Sequence, residues 1–376
     1  MKIAIDIDDT LTNSFSYFQP FVAEFFGVDV EMLRREGVSY SNLPACWKPR
    51  ELEFCRTYYD RIAAQTPFKS DAQWGVDTLR SSGHKIVILT GRTTEFYTDP
   101  YLTTQEELKN GGIRCDALSC TLDKGAYCAA EGIDLLIDDL PENCAQANAR
   151  GIPALLFDSP ANQTSQLRCR RVYSWCEAAA AVEQVARGYP DIQTAQQLLE
   201  EAGSANPGPW TAHSRFAAQC ARTIAEHAGM DAEKAYVLGL LHDVGRRFRI
   251  RDLGHIYYGY QDMLRQGYPA VAKICLTHSF PNQMLSLYIG KLDIGQAEIQ
   301  EVERLLRASE YDDYDRLIQL CDALAGSEGV VDIEQRMGDV RRRYGNYPQA
   351  QWDKNVELKR EFEVRCGCAS LYDLLR

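Results

Sequence analysis

The chain has 376 residues, and at ~150 residues per domain this length predicts two or three domains. Its 53 acidic and 41 basic residues leave a formal net charge of −12, which disfavours nucleic acid as a partner. Apolar residues make up 45% and charged residues 25%, which argues against disorder. No apolar run approaches the ~18 residues that cross a bilayer, and the N-terminus is typical of a strand rather than a signal peptide. We therefore expect a cytoplasmic protein with no membrane partner.

The first half of the chain alternates short apolar runs with helix-compatible stretches. The apolar runs lie at residues 2–5, 85–89, 134–137 and 154–157, with a last short run at 171–173. This alternation predicts an α/β fold with a doubly wound parallel sheet. An insertion rich in aromatic residues separates the first two runs, from about residue 13 to 69, and it predicts a helical cap over the carboxyl edge of the sheet.

The second half contains amphipathic helical segments and no convincing strand, which predicts an all-α domain. We place the first domain at residues 1–189, the second at 190–335 and a charged helical extension at 336–376. The basic run Arg341–Arg343 of the extension is interpreted as a solvated helix face, and no chemistry is assigned to it. The thirteen cysteines are expected to be reduced, since the close pairs Cys115/Cys120 and Cys366/Cys368 lack a second pair that would complete a zinc site.

Polar side chains follow the predicted strands at the points where the runs end. They are Asp6, Asp8, Thr90, Gly91, Lys124, Asp138 and Asp139. Because the carboxyl ends of parallel strands meet in one crevice, these side chains are expected to share a site. Crowded carboxylates repel one another unless a divalent cation lies among them, and an oxygen-rich site suits Mg²⁺. The sequence therefore predicts a local magnesium site that handles phosphate in an otherwise acidic protein.

The residue types at this site favour phosphoryl transfer. Asp6 is ionised at neutral pH and can attack phosphorus without a general base. Asp8, two residues further on, can protonate the leaving alcohol. Thr90 with Gly91, together with Lys124, would hold the phosphoryl oxygens that are not transferred.

The first half resembles the haloacid dehalogenase-like phosphatases over about residues 1–188. The matching motifs are Asp6-x-Asp8-x-Thr10, Thr90, Lys124 and Asp138-Asp139. The cap and the segment LLIDD at 135–139 are similar to the 5′(3′)-deoxyribonucleotidase type. This resemblance implies hydrolysis of a nucleoside monophosphate through an aspartyl-phosphate intermediate. It also implies Mg²⁺ binding by Asp6, by the main-chain carbonyl of Asp8, and by Asp138 or Asp139, of which either could be the direct ligand.

The second half carries histidines and acids of the kind that bind transition metals. They are His213, His242, Asp243, His255, His278 and Asp322. Imidazoles and carboxylates suit Zn, Mn, Fe or Co rather than Mg. His242 and Asp243 are adjacent at the end of an apolar helix, so both side chains can project into one cavity of a helical bundle.

This pattern resembles the HD-domain metal-dependent phosphohydrolases over about residues 192–335. The resemblance assigns the motif to His213, His242, Asp243 and Asp322, and it makes His255 and His278 the further histidines of binuclear members. It implies one or two ions of Fe, Mn, Co or Zn, with Asp243 as the bridge. The family often has a lysine after the His-Asp pair. Here Arg246 and Arg247 follow instead, and Arg246 is expected to bind phosphate.

The favoured prediction is a bifunctional phosphohydrolase that acts on a small phosphorylated molecule. Its first half would be a Mg²⁺-dependent nucleotidase, and its second half would hydrolyse a nucleotide or dinucleotide. Two alternatives stay open for the second half. It could be a di-iron oxygenase of the HD fold, or a nucleotide sensor that regulates the phosphatase. A homo-oligomer is compatible with the charged, aromatic C-terminal extension.

Overall fold

The computed structural model describes residues 1–38 and 43–376. The chain divides into two compact units. Unit 1 contains Met1–Ala186 and Arg265–Gly267, and unit 2 contains Arg187–Leu264 and Tyr268–Arg376. Residues 39–42 of the expected cap lie outside the described residues. Among the described residues, no helix is both long enough and apolar enough to span a membrane.

Unit 1 is built on a six-stranded parallel sheet, so the predicted α/β fold is confirmed. The strands are β1 (Lys2–Ile5), β2 (Lys85–Thr90), β3 (Ala117–Cys120), β4 (Leu135–Asp138), β5 (Ala154–Phe157) and β6 (Arg170–Val172). Their order in the sheet is β3-β2-β1-β4-β5-β6. The edge strand β3 was not predicted from the sequence, because its residues are exposed or half-buried and lack an apolar run.

Helices cover both faces of this sheet, and alternate strand residues therefore enter two separate cores. Ile3 and Ile5 pack into one core, whereas Ala4 packs into the other. The helices of unit 1 are α1 (Ser14–Phe26), α2 (Val30–Glu36), α3 (Glu51–Gln65), α4 (Ala72–Ser81), α5 (Pro100–Asn110), α6 (Lys124–Ala130), α7 (Pro141–Ala149) and α8 (Trp175–Arg187).

Helices α1 to α3 form an aromatic core of their own between β1 and β2. Phe18 and Phe54 meet edge to face with ring centroids 5.5 Å apart, and Phe54 also stacks on Tyr58 at 5.3 Å. Most rings of this insertion are therefore structural. Tyr59 is the exception that matters for function, because it lines the cavity above the carboxyl edge of the sheet.

Unit 2 is helical apart from an isolated β-bridge between Ala325 and Val330, in agreement with the predicted all-α fold. Its helices are α9 (Ile192–Ala205), α10 (Trp210–His227), α11 (Ala232–Leu241), α12 (Leu253–Arg265), α13 (Pro269–Thr277), α14 (Gln296–Ala308), α15 (Asp313–Leu324), α16 (Ile333–Tyr344), α17 (Gln349–Cys366) and α18 (Leu371–Leu374). The extension at 336–376 packs into the main core of this unit through Met337, Leu358, Phe362 and Leu371.

Two glycines permit the close approaches that assemble the second site. A Cβ at Gly239 would lie 2.9 Å from Ala218 Cα, so α11 rests directly on the backbone of α10. A Cβ at Gly245 would lie 1.9 Å from the carbonyl oxygen of His255, so the turn after α11 touches the backbone of α12. Both positions exclude any larger residue without a backbone shift.

Candidate active sites

Three buried carboxylates meet where β1 and β4 end. Ligand atoms of Asp6, Asp138 and Asp139 all lie within 4.8 Å of one another. Lys124, the first residue of α6, reaches them with Nζ 2.5 Å from Asp6 Oδ1 and 2.7 Å from Asp138 Oδ2. The register of the sheet brings these residues together, because the amide of Asp6 donates to the carbonyl of Ile137 at 2.9 Å.

The electrostatics of this cluster call for a cation beyond Lys124. Burial raises the pKa of Asp6 to about 7, and the neighbouring carboxylates of Asp138 and Asp8 add to the effect while Lys124 opposes it. Burial and the same kind of repulsion, mainly from Asp6, raise the pKa of Asp139 well above its ordinary value. Oxygen ligands that are held close and poorly compensated fit a hard divalent cation such as Mg²⁺.

The two adjacent acids differ in what surrounds them. The carboxylate of Asp138 accepts hydrogen bonds from Lys124, from Asn143 Nδ2 at 3.1 Å and from the amide of Leu140 at 2.9 Å. Asp139 instead lines the cavity with Asp6 and Asp8. Its carbonyl oxygen accepts from the buried Asn162 Nδ2 at 2.7 Å, which fixes the backbone of the turn.

Asp8 lies at the mouth of the site and is held away from the three-carboxylate cluster. Its carboxylate accepts from Ser14 Oγ at 2.9 Å and from Arg92 Nη2 at 3.2 Å. Arg92 is itself buried and also donates to Glu107 at 2.5 Å. Sequence reasoning assigned no role to Arg92, although its position directly after Thr90-Gly91 at a strand end was a usable signal.

A cavity of about 380 Å³ opens above these residues. Gly91 and Lys124 line it on the sheet side, while Tyr59 and Tyr97 line it with aromatic rings. The side chain of Thr90 is fully buried, and its Oγ1 has no hydrogen-bond partner among the described residues. With a cation bound at its carboxylates, the cavity would accept an anionic group beside an aromatic one.

In unit 2, four histidines converge with the same orientation. Each Nδ1 lies within hydrogen-bond distance of a main-chain carbonyl: Ala325 for His213 at 3.0 Å, Gly239 for His242 at 2.7 Å, Asp252 for His255, and Cys275 for His278 at 2.9 Å. A carbonyl oxygen only accepts, so Nδ1 of each ring is the donor. In its neutral form each ring offers its Nε2 lone pair to a metal, and His213 differs from the others because burial is outweighed by the hydrogen bond and the charge of Asp322, which raise its pKa.

Two aspartates complete this cluster. Asp243 Oδ1 lies 3.0 Å from His255 Nε2 and 3.6 Å from His278 Nε2. Asp322 Oδ1 lies 2.9 Å from His213 Nε2 and 3.8 Å from His242 Nε2. Five of the six residues form two overlapping sets that share Asp243, namely His213 with His242 and His255 with His278, and Asp322 lies beside the first set.

The donor set of unit 2 fits transition metals. Three of its atoms are buried and have no hydrogen-bond partner among the described residues, namely His242 Nε2, His255 Nε2 and Asp243 Oδ1. Burial opposes ionisation of Asp243, yet Arg246 and His242 hold its pKa well below the usual range. Burial lowers the pKa of His278 to about 4, which keeps its ring neutral. A carboxylate beside neutral imidazoles is the protonation state that metal binding requires.

Arg246 lies where the sequence predicted a phosphate ligand. Its Nε donates to Asp243 Oδ2 at 2.5 Å, and its side chain borders two cavities of about 300 and 260 Å³ beside the histidines. Arg247, by contrast, lies 3.6 Å from Asp262 and lines neither cavity. All thirteen cysteines are free, and among residues 1–38 and 43–376 none joins a metal-ligand cluster.

The C-terminal extension also reaches these cavities, which corrects the interpretation of its basic run. Arg343 lines both cavities, as does Arg336 from the same helix. Arg341 and Arg342 are exposed and line neither, as predicted for a solvated face. The helical spacing of Arg336 and Arg343, seven residues apart, was the signal in the sequence that could have found them.

The fold and the two clusters define a hydrolase that acts on phosphoric ester bonds. Residues 1–188, half of the chain, match the family of 5′ nucleotidase, deoxy (pyrimidine), cytosolic type C proteins. The chain belongs to this family. Residues 211–327 match the HD domain. Both resemblances expected from the sequence are confirmed, and both kinds of domain depend on metals.

The comparison with solved structures found matches to about half of the chain. A HAD family hydrolase from Deinococcus radiodurans, with bound phosphate and sodium, is 13% identical with a TM-score of 0.36, covering 50% of this chain and 96% of its own. A predicted phosphatase from Clostridium acetobutylicum is 15% identical with a TM-score of 0.37, covering 49% of this chain and 98% of its own. The comparison with curated proteins found no match.

Proposed function

We propose that the chain carries two separate metal-dependent phosphohydrolase sites, one in residues 1–189 and one in residues 190–335. The first would remove phosphate from a nucleoside monophosphate, with Mg²⁺ as its metal. The second would hydrolyse a nucleotide or dinucleotide with one or two ions of Fe, Mn, Co or Zn. The observation that carries this proposal is the convergence of acids and imidazoles in each unit, beside a cavity with cationic side chains.

In the first site, Asp6 is the nucleophile. Its carboxylate attacks phosphorus, the bond to the alcohol breaks, and the departing oxygen takes a proton from Asp8. Water then attacks the aspartyl phosphate while Asp8 accepts a proton, which releases phosphate and restores Asp6. The ion pair with Arg92 suits the carboxylate form of Asp8 that this second step uses. A bound Mg²⁺ would neutralise phosphate charge and hold Asp6 ionised.

Asp139 is our choice for the direct Mg²⁺ ligand, together with Asp6 and the main-chain carbonyl of Asp8. The support is that Asp138 is saturated by Lys124, Asn143 and a backbone amide, whereas Asp139 lines the cavity. Thr90, Gly91 and Lys124 would hold the phosphoryl oxygens. The variants Asp138→Asn and Asp139→Asn form a matched pair. Asp139→Asn should raise the Mg²⁺ concentration needed for half-maximal activity by about tenfold or more, and Asp138→Asn should mainly lower stability.

In the second site, the imidazoles of His213, His242, His255 and His278 would hold metal, with Asp243 shared and Asp322 beside them. The bound metal would supply Lewis acidity and activate water. The chain's own contribution is to orient the four rings through their main-chain hydrogen bonds and to present Arg246 to a phosphate. The arginines of this cavity favour a phosphoester over the oxygenase alternative, and turnover that requires O₂ would overturn that preference.

Two variants of the full chain separate the sites. Asp6→Asn should abolish Mg²⁺-dependent release of phosphate from nucleoside monophosphates and leave the Mn²⁺- or Co²⁺-dependent activity. His242→Ala with Asp243→Ala should do the converse. If both variants lose the same activity, the two-site proposal is wrong.

A further inference from the structure

Helix α16 presents two arginines to the cavities beside the histidine cluster. Arg336 and Arg343 lie seven residues apart, which places them on one face of the helix. Both border the cavities of about 300 and 260 Å³, which also share His278, Asp322 and Arg246. Both arginines lie beyond residues 211–327, the stretch that matches the HD domain. They therefore belong to a part of unit 2 that the family match does not describe.

These arginines lack the ion pairs that their neighbours make. Arg342 pairs with Asp339, and Arg365 pairs with Asp313 at 2.9 Å. Within residues 1–38 and 43–376, no carboxylate lies within 4.0 Å of the guanidinium nitrogens of Arg336, Arg343 or Arg251. All three line the larger cavity. A guanidinium group that faces a cavity and has no carboxylate partner is able to bind an anion there.

The wall of the larger cavity carries an excess of positive charge. The larger cavity is lined by Arg246, Arg251, Arg336 and Arg343 against Asp252 and Asp322, an excess of two positive charges before any metal is bound. Arg246 is engaged by Asp243, so it is partly neutralised. The remaining arginines lie on other elements, and they widen the positive surface beyond the metal ligands.

Two buried glutamines also belong to the wall of this cavity. Gln319 and Gln351 are 3% and 8% exposed, and both line the cavity. The Oε1 atom of each has no hydrogen-bond partner within the part of the chain that the structure describes. Because these atoms are closed to solvent, a molecule in the cavity does not reach them, and the two glutamines form part of the wall.

We propose that Arg336 and Arg343 form an anion subsite that binds a phosphate group other than the one at the metals. The substrate of unit 2 then carries at least two phosphate groups. This inference rests on the proposed hydrolase function of unit 2 and names its substrate class. The C-terminal extension then contributes residues to the substrate site.

Inorganic pyrophosphate is the probe, titrated calorimetrically into the full chain in EDTA. The variants are Arg336→Ala/Arg343→Ala and the control Arg341→Ala, which removes one charge from an exposed position of the same helix. Each charge-assisted contact is worth on the order of tenfold in affinity. We expect the double variant to bind pyrophosphate at least ~10-fold more weakly and the control to stay within about twofold of wild type. Any binding in unit 1 is common to the three proteins and cancels.

Two results would overturn the subsite. One is a double variant that binds pyrophosphate as tightly as the Arg341→Ala control. The other is orthophosphate that binds wild type as tightly as pyrophosphate and is weakened equally by the double variant, because the site would then take a single phosphate. Arg343→Ala alone, at an exposed position that folding does not need, should give a partial loss.

The test is independent of turnover, so failures can be told apart. If the double variant binds pyrophosphate weakly but the wild type shows no metal-dependent hydrolysis, the proposed function of unit 2 is wrong and the anion subsite is supported. If hydrolysis depends on His242 but the double variant binds pyrophosphate as the wild type does, the hydrolase function is supported and the anion subsite is wrong.

Discussion

Lys124 bridges the buried carboxylates of Asp6, the proposed nucleophile, and Asp138, so Lys124→Met tests the electrostatics of unit 1. The Nζ atom lies 2.5 Å from Asp6 and 2.7 Å from Asp138, and the three side chains are 4%, 6% and 0% exposed. Removing one partner of a buried ion pair costs about 3–5 kcal/mol. Asp138 keeps Asn143 and a backbone amide as donors, so most of the loss should come from Asp6.

The loss should depend on pH with a definite sign. Burial already raises the pKa of Asp6 from 3.8 to about 7, and the missing cation would raise it further. A carboxyl whose pKa is raised in the folded state costs stability as pH increases, because the folded state must give up a proton that it holds more tightly. Near pH 5.5 Asp6 is protonated in the folded wild type and in the folded variant, so removing Lys124 costs little stability through Asp6. Near pH 8 the loss through Asp6 is about 1.4 kcal/mol larger, and it becomes full only above the raised pKa of Asp6 in the variant.

The assay is thermal unfolding of the full chain in EDTA, with hydrogen exchange of peptides from β1 and β4 to follow unit 1 separately. A loss of about 4 kcal/mol corresponds to roughly 8–16 °C for a domain of this size. Lys85→Met, at an exposed lysine on β2, is the control and should change little. An equal loss near pH 5.5 and pH 8 would refute the reasoning, since Lys124 would then contribute packing alone.

Three further predictions follow from the two sites. Gly245→Ala should displace the turn from α12, because the new Cβ would lie 1.9 Å from the carbonyl oxygen of His255. Elemental analysis should then show that unit 2 has lost its metal while the Mg²⁺-dependent activity remains. A variant that retains this metal would contradict the prediction. Arg92→Met should lower the turnover of the Mg²⁺-dependent reaction by at least ~10-fold, part of the 10²–10⁴ that general acid–base catalysis contributes. Arg92→Lys should recover some of it, and pH–rate profiles would show whether it does. In EDTA, the free energy of unfolding of unit 2 should fall by about 3 kcal/mol through His278 as the pH falls from 6.5 to about 4, because burial depresses the pKa of this residue in the folded state. A free energy from urea unfolding that stays constant over this pH range would contradict the prediction.

The sequence predicted the residues that chemistry requires better than it predicted their surroundings. Asp6, Lys124 and the His242-Asp243 pair follow apolar runs, and a run that ends in charge indicates where a buried element meets a site. The choice between Asp138 and Asp139 was not predictable. It depends on which of two consecutive side chains the turn directs toward Asn143 and Lys124, and only the assembled backbone settles that direction.

The residues missed by sequence reasoning share a different cause. Arg92 pairs with Asp8, which lies 84 residues away along the chain, and Arg343 lines a cavity formed by other helices of unit 2, so the surroundings of both depend on the folded chain. Within the basic run Arg341–Arg343, the three residues are identical in type and differ only in the face of α16 that they occupy. Strand β3 was missed for a related reason, because an exposed edge strand lacks the apolar signal of a buried one.

The central claim is that acids and imidazoles gather around cations at two separate sites, and anomalous scattering from crystals grown with Mn²⁺ tests it most directly. The account predicts one anomalous peak in contact with Asp6 and Asp139, and at least one more among His213, His242 and Asp243. Crystals that diffract well and show no peak between the imidazoles, or that show Asp6 and Asp139 splayed apart, would contradict it.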